Sequence, residues 1–98
     1  MTSVFLYGCE GTFAGGEFAW NSPAVGSTHR LILFLAQDVP ESQEELALRE
    51  LARYGFHKAQ VGTGKSIAVE SLNEPQMKVF QKHYEGALAE GSSIVWYP

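Results

Sequence analysis

Ala59-Gln60-Val61-Gly62-Thr63-Gly64-Lys65-Ser66-Ile67-Ala68-Val69 is the stretch whose reading decides the fold. Its first eight residues fit a relaxed form of the phosphate-binding pattern G-x-x-x-x-G-K-[ST], with Ala59 in the place of the first glycine. That chemistry needs a strand before the loop and a helix directly after it, so that glycine N–H groups and the helix N-terminus face the phosphates. Here Ile67-Ala68-Val69-Glu70 alternate like a strand, and helix signals wait until Asn73. Nucleotide binding at Gly64, Lys65 and Ser66 is therefore the lesser alternative, and the pattern reads as a turn. A three-residue loop at 62–64 sets Ala59 opposite Ile67 and His57 opposite Val69, with their apolar side chains on one face. A two-residue loop loses that match. The stretch predicts a hairpin of strands at 57–61 and 65–72.

Helix signals flank it on both sides. Upstream, Ser42 stands as an N-cap with Glu45 three residues on, a capping box. Ala47, Leu48, Leu51 and Tyr54 share one face at helical spacing, and Gly55 ends the helix with Phe56 placed to touch Leu51. Downstream, Asn73 caps a second helix, with Pro75 in its first turn and Leu72 and Met77 spaced as a hydrophobic staple. Its stripe is Met77, Phe80, Tyr84, Ala87 and Leu88, and Gly91 stops it.

Further out lie more strands. Leu31-Ile32-Leu33-Phe34-Leu35 is a continuous apolar run, the mark of a central strand covered on both faces. Ser93 to Tyr97 reads as another strand. From His29 onward the order is strand, helix, strand, strand, helix, strand. This predicts an α+β, ferredoxin-like βαββαβ two-layer sandwich, its antiparallel sheet carrying two helices on one face. The chain is expected to be one domain over 1–98, with 29–98 as the ferredoxin-like core. Residues 1–28 are expected to add extra N-terminal β-strands. In that extension, Val4 to Cys9 and Thr12 to Trp20 read as strands, with turns at Glu10-Gly11 or Gly15-Gly16.

Composition narrows the function. With 98 residues and 45% hydrophobic content, the chain can build one modest core. A net charge of −4 and only seven Lys and Arg argue against nucleic acid as a partner. A single cysteine, Cys9, forms no internal disulfide and fits a reducing, cytoplasmic setting. No run approaches the ~18 apolar residues of a membrane span, so no membrane partner is expected. His29, His57 and His83 show no metal-ligand spacing, and no metal or cofactor is expected.

What remains is an aromatic and apolar set. Phe13, Phe18, Trp20, Trp96 and Tyr97 lie on the strands, and Leu46 and Val79 fall outside their helices' stripes. A bare sheet face must meet water, a ligand or a partner. These residues are the expected ligand or interface positions. The expected function is a small non-enzymatic binding or regulatory module, acting through protein–protein contacts as a homodimer or with another protein partner. The alternative is a small-ligand-binding protein or small enzyme with a cleft between the sheet and the N-terminal segment. It would use a histidine with Tyr7, Tyr97 or Cys9.

Overall fold

A computed structural model describes residues 2–15, 23–67 and 75–97, apart from the side chains of Gln76, Met77 and Val79. Strands β1 (Ser3–Phe13) and β2 (Thr28–Gln37) are followed by helix α1 (Glu44–Tyr54). Then come β3 (Phe56–Val61), the short β4 (Lys65–Ser66) and a 3₁₀ segment (Pro75–Phe80). Helix α2 (Gln81–Glu90) and strand β5 (Ser92–Tyr97) complete the chain. The strands form one antiparallel sheet in the order β3-β1-β2-β5, with β4 also paired to β1. The class is α+β, as expected.

The ferredoxin-like arrangement is not what the strand order shows. Ser3–Phe13 is not an added strand, because β1 occupies the centre of the sheet between β2 and β3. The expected turn at Glu10-Gly11 is also absent. β1 runs through it in unbroken register with β2, and the shift against β3 between Glu10 and Thr12 comes from an extra residue on β3, where Lys58 and Ala59 oppose Gly11. Of the second N-terminal strand, Thr12 and Phe13 belong to β1, and 16–20 lie outside the described residues.

The hairpin at 62–64 is likewise corrected. β3 and β4 both run antiparallel to β1, Val61 facing Cys9 and Lys65 facing Leu6, so they form one interrupted edge and do not pair with each other. Ala59 packs in the α1-side core, whereas Ile67 packs on the opposite side. Both segments contain apolar residues at alternate positions, and β1 is a better partner for each than they are for one another. Val69 lies outside the described residues.

The helices lie on opposite faces, not on one. Alternation along the strands sorts the core in two. Phe5, Tyr7, Cys9 and Phe13 of β1 join Leu31, Leu33 and Leu35 of β2 against Ala47, Leu51 and Phe56. The even positions Val4 and Phe34 are buried against Ala87, with Leu6, Ile32, Phe80 and Tyr84 half-buried beside them. The physical reason is the apolar run itself. A strand reading Leu-Ile-Leu-Phe-Leu leaves no face to expose, so each side needs a helix.

Local details differ too. The first helix begins at Glu44 behind Gln43, with no side-chain cap, because Ser42 is engaged elsewhere. Its end is as expected: Gly55 adopts φ 103° and its N–H reaches the Ala52 and Leu51 carbonyls. Leu48 and Leu88, expected on buried stripes, are exposed. The second helix starts at Gln81 behind the 3₁₀ segment, and Asn73 and Leu72 lie outside the described residues. Gly91 stops it at φ 96°.

A buried polar knot ties the loops to the sheet. The Tyr7 hydroxyl donates to Gln37 Oε1 at 2.8 Å and accepts from the Gln43 N–H at 2.7 Å. Gln37 Nε2 donates to the Val39 and Glu41 carbonyls. Ser42 Oγ accepts from the Gly64 N–H at 2.7 Å. Among the described residues no buried side-chain nitrogen or oxygen is left without a partner.

Candidate functional site

The knot engages the backbone donor that the phosphate-loop reading would use. The Gly64 N–H that would face a phosphate donates to Ser42, and a Cβ at Gly64 would collide with the Tyr7 ring. Glycine stands there to let an aromatic ring approach. Lys65 and Ser66 are exposed on β4, which pairs with β1.

Cys9, His29 and His83 are each held in structural contacts. Cys9 is buried, its Sγ donating to the Tyr7 carbonyl at 3.2 Å, and burial pushes its thiol up to about 11. At neutral pH it is a thiol, not a nucleophilic thiolate. His29 has Nδ1 2.7 Å from the Tyr97 carbonyl oxygen and Nε2 2.7 Å from Ser27 Oγ, with its ring edge-on to Trp96. It braces the end of β2 to the end of β5. His83 stacks on Phe34 and lies 3.0 Å from Ser93 Oγ. Burial, then the nearby Lys82 charge, lowers its pKa, so it stays neutral under the helix. His57 is exposed on β3, opposite Thr12. Among the described residues no group of three His, Cys, Asp or Glu could hold a metal. The part of the N-terminal segment that forms β1 is the middle of the sheet.

The expected aromatic set does not converge. Phe13 is core, packed edge-on to Phe56 at 5.4 Å between centroids. Trp96 is half-buried against the α1-side core. Tyr97 is exposed at the end of β5, and Leu46 is exposed on α1. Phe18, Trp20 and the side chain of Val79 lie outside the described residues.

The site that the fold does assemble is on the α2 face, beyond the reach of α2. Register there places residues in rows across the strands. One row runs Val95, Ile32, Gly8 and Gly62, the last pair joined by the Gly62 N–H to the Gly8 carbonyl at 3.0 Å. The next row runs Tyr97, Arg30, Glu10 and Gln60. Between and above them is an open trough of about 750 Å³, lined by Gly8, Glu10, Arg30, Ile32, Gln60, Gly62 and Tyr97, with Cys9, Leu31 and Val61 between them in the chain. That volume falls in the range of small-molecule sites, ~300–1,000 Å³.

Two glycines make the trough. A Cβ on Gly8 would meet nothing within 4 Å, so the space above it is vacant because the residue has no side chain. The floor is therefore backbone and the Ile32 side chain, and the far wall is polar. Phe13 N–H donates to the Ser27 carbonyl, which puts odd positions of β1 in the hydrogen-bonded pairs and leaves Glu10–Arg30 a non-bonded pair. Side chains of such pairs start ~4.5–5.5 Å apart. Even so, neither Glu10 nor Arg30 makes an ion pair among the described residues, where the one pair found is Arg53–Glu50. Both are exposed. The trough thus offers opposite charges side by side beyond an apolar floor.

A smaller cavity of about 240 Å³ lies at the strand ends, lined by Thr12, Phe13, Val25, His57 and Lys58. It is below the usual ligand range. Lys58 there adopts φ 52°, within the β3 bulge where Lys58 and Ala59 oppose the single residue Gly11.

Gly8, Glu10, Arg30, Ile32, Gln60 and Gly62 are not among the ligand or interface positions expected from the sequence. Alternation along β1 does mark Gly8 and Glu10 as sharing a face with Leu6. Their partners across the sheet could not be read without the strand order. Comparison of the chain with known protein families, with curated proteins and with solved structures finds no match.

Proposed function

We propose that this chain is a non-enzymatic binding or regulatory module and that the trough over Gly8 is its binding surface. One observation carries the reading: the trough joins an apolar, glycine-floored space to a row bearing both charges, while the cysteine and the histidines are engaged in structural contacts or lie outside it. A site of that make-up recognises a ligand, and the cysteine beside it is held as a thiol.

The test is an amide NMR titration of the ¹⁵N-labelled chain against a panel of amino acids, sugars, carboxylates and nucleotides. Saturable shifts at the Gly8 and Gly62 amides are expected from at least one compound. Gly8→Val, which fills the trough from an open backbone position, should abolish them. A panel that leaves both amides unmoved would sink the reading.

Action through protein–protein contacts as a homodimer is the second part of the proposal. Its support is the exposure of Val39, Leu46 and Leu48 at and before α1. Sedimentation equilibrium from micromolar to millimolar protein should show a monomer–dimer equilibrium. A monomer throughout removes this part and leaves the trough untouched.

A further inference from the structure

The two charges of the trough specify more than a polar wall. Glu10 and Arg30 are cross-strand neighbours on one face, exposed, and outside any ion pair among the described residues. Beside them in the same row stand Gln60, with both a donor and an acceptor, and the exposed phenol Tyr97. The adjacent row offers Ile32 and the bare backbone of Gly8 and Gly62. A complementary ligand carries a cation and an anion a few ångströms apart and an apolar group projecting to one side.

We propose that the trough binds a free α-amino acid with an aliphatic or aromatic side chain. Arg30 takes the carboxylate, Glu10 takes the ammonium, and the side chain lies over Gly8 and Gly62 against Ile32. This rests on the reading of the trough as the binding surface and names its occupant. The alternatives fit less well. A phosphate or nucleotide meets one guanidinium with a carboxylate directly beside it, which repels a dianion. The interior of a peptide lacks both charges. A sugar leaves the apolar floor and both charges without complements. Because the site is open and its charges are exposed, binding is weak and falls with salt, which screens such pairs.

The test is a titration of the full ¹⁵N-labelled chain at low ionic strength with four probes. They are L-phenylalanine, L-leucine, N-acetyl-L-phenylalanine without the ammonium, and L-phenylalaninamide without the carboxylate. L-phenylalanine and L-leucine should shift the Gly8 and Gly62 amides saturably, and each blocked analogue should bind several-fold more weakly. In Arg30→Gln, L-phenylalanine and its amide should bind alike. In Glu10→Gln, L-phenylalanine and its N-acetyl form should bind alike. Both positions are exposed, and amide dispersion reports whether each variant keeps the fold. Equal binding of all analogues to the parent chain overturns the charge assignment. If amino acids leave Gly8 and Gly62 unmoved while another compound class shifts them, the occupant is wrong and the trough remains the site. If no compound shifts them, both readings fall.

Discussion

On the α1 side of the sheet, burial runs the length of β1 through Phe5, Tyr7, Cys9 and Phe13. On the α2 side it reaches Val4 and Phe34, fades at Leu6 and Ile32, and gives way to Gly8, Glu10 and Arg30. The same two strands supply both faces. The difference lies in what covers them: α1 with Phe56 closes one side, whereas α2 packs chiefly on β5 and β2 and leaves the far rows uncovered. One face carries stability, and the other leaves room for a ligand. Residues adjacent in sequence therefore differ sharply in what their loss should do.

Leu33 and Ile32 make the sharpest test of that contrast. Leu33 is fully buried toward α1, and Ile32 is half-buried beside the trough. Leu33→Ala should cost about 2–5 kcal/mol in urea denaturation. Ile32→Ala should cost about 1 kcal/mol, because the site is already open to water. Equal losses would mean that the two faces are equally packed.

Next in size is the knot. Tyr7→Phe keeps the ring against Gly64 but removes the hydroxyl that serves Gln37 and the Gln43 N–H. Leaving those buried groups short of a partner should cost about 1–3 kcal/mol. An unchanged denaturation midpoint would show that water replaces the hydroxyl at no loss.

A smaller effect attaches to His83, whose pKa is lowered in the fold by burial and by Lys82. The unfolded chain then takes up this proton first as pH falls, so the unfolded state binds more protons. Stability contributed by neutral His83 is fully present above the unfolded value of about 6.5 and is lost as pH falls through and below it. His83→Gln should flatten the decline of stability between neutral and mildly acidic pH. A slope identical to that of the parent would place the titration elsewhere.

Smallest of all is Gly8→Val. The Cβ meets nothing, and valine favours a strand, so stability should stay level or rise by less than about 1 kcal/mol. A large loss would mean that the trough floor is packed rather than open.

Much of this architecture was legible before the fold. The apolar run at 31–35 demanded cover on both faces, and the structure meets that demand with one helix on each. The strand–helix order alone suggests both helices on one face, but the doubly apolar strand outweighs it. Gly55 and Gly91 ended their helices as read. The stretch at 62–66 misled because its alternation fits pairing with any apolar strand. Local pattern cannot rank its neighbour in the chain against β1, which lies some fifty residues away. Of the candidate site, Gly8 and Glu10 could have been placed on one face of β1, but Arg30, Gln60 and Tyr97 join them only through register.

The amino-acid order determined which positions alternate, where helices stop and that the central strand is covered twice, because these follow from local backbone preference and side-chain period. Strand order was decided by the tertiary structure, since β1 pairs with β2 and β3 through backbone groups that every residue carries alike. The trough belongs to that second kind of property. It exists because α2 stops short of the far rows and because strands distant in sequence set Gly8 beside Gly62 and Glu10 beside Arg30.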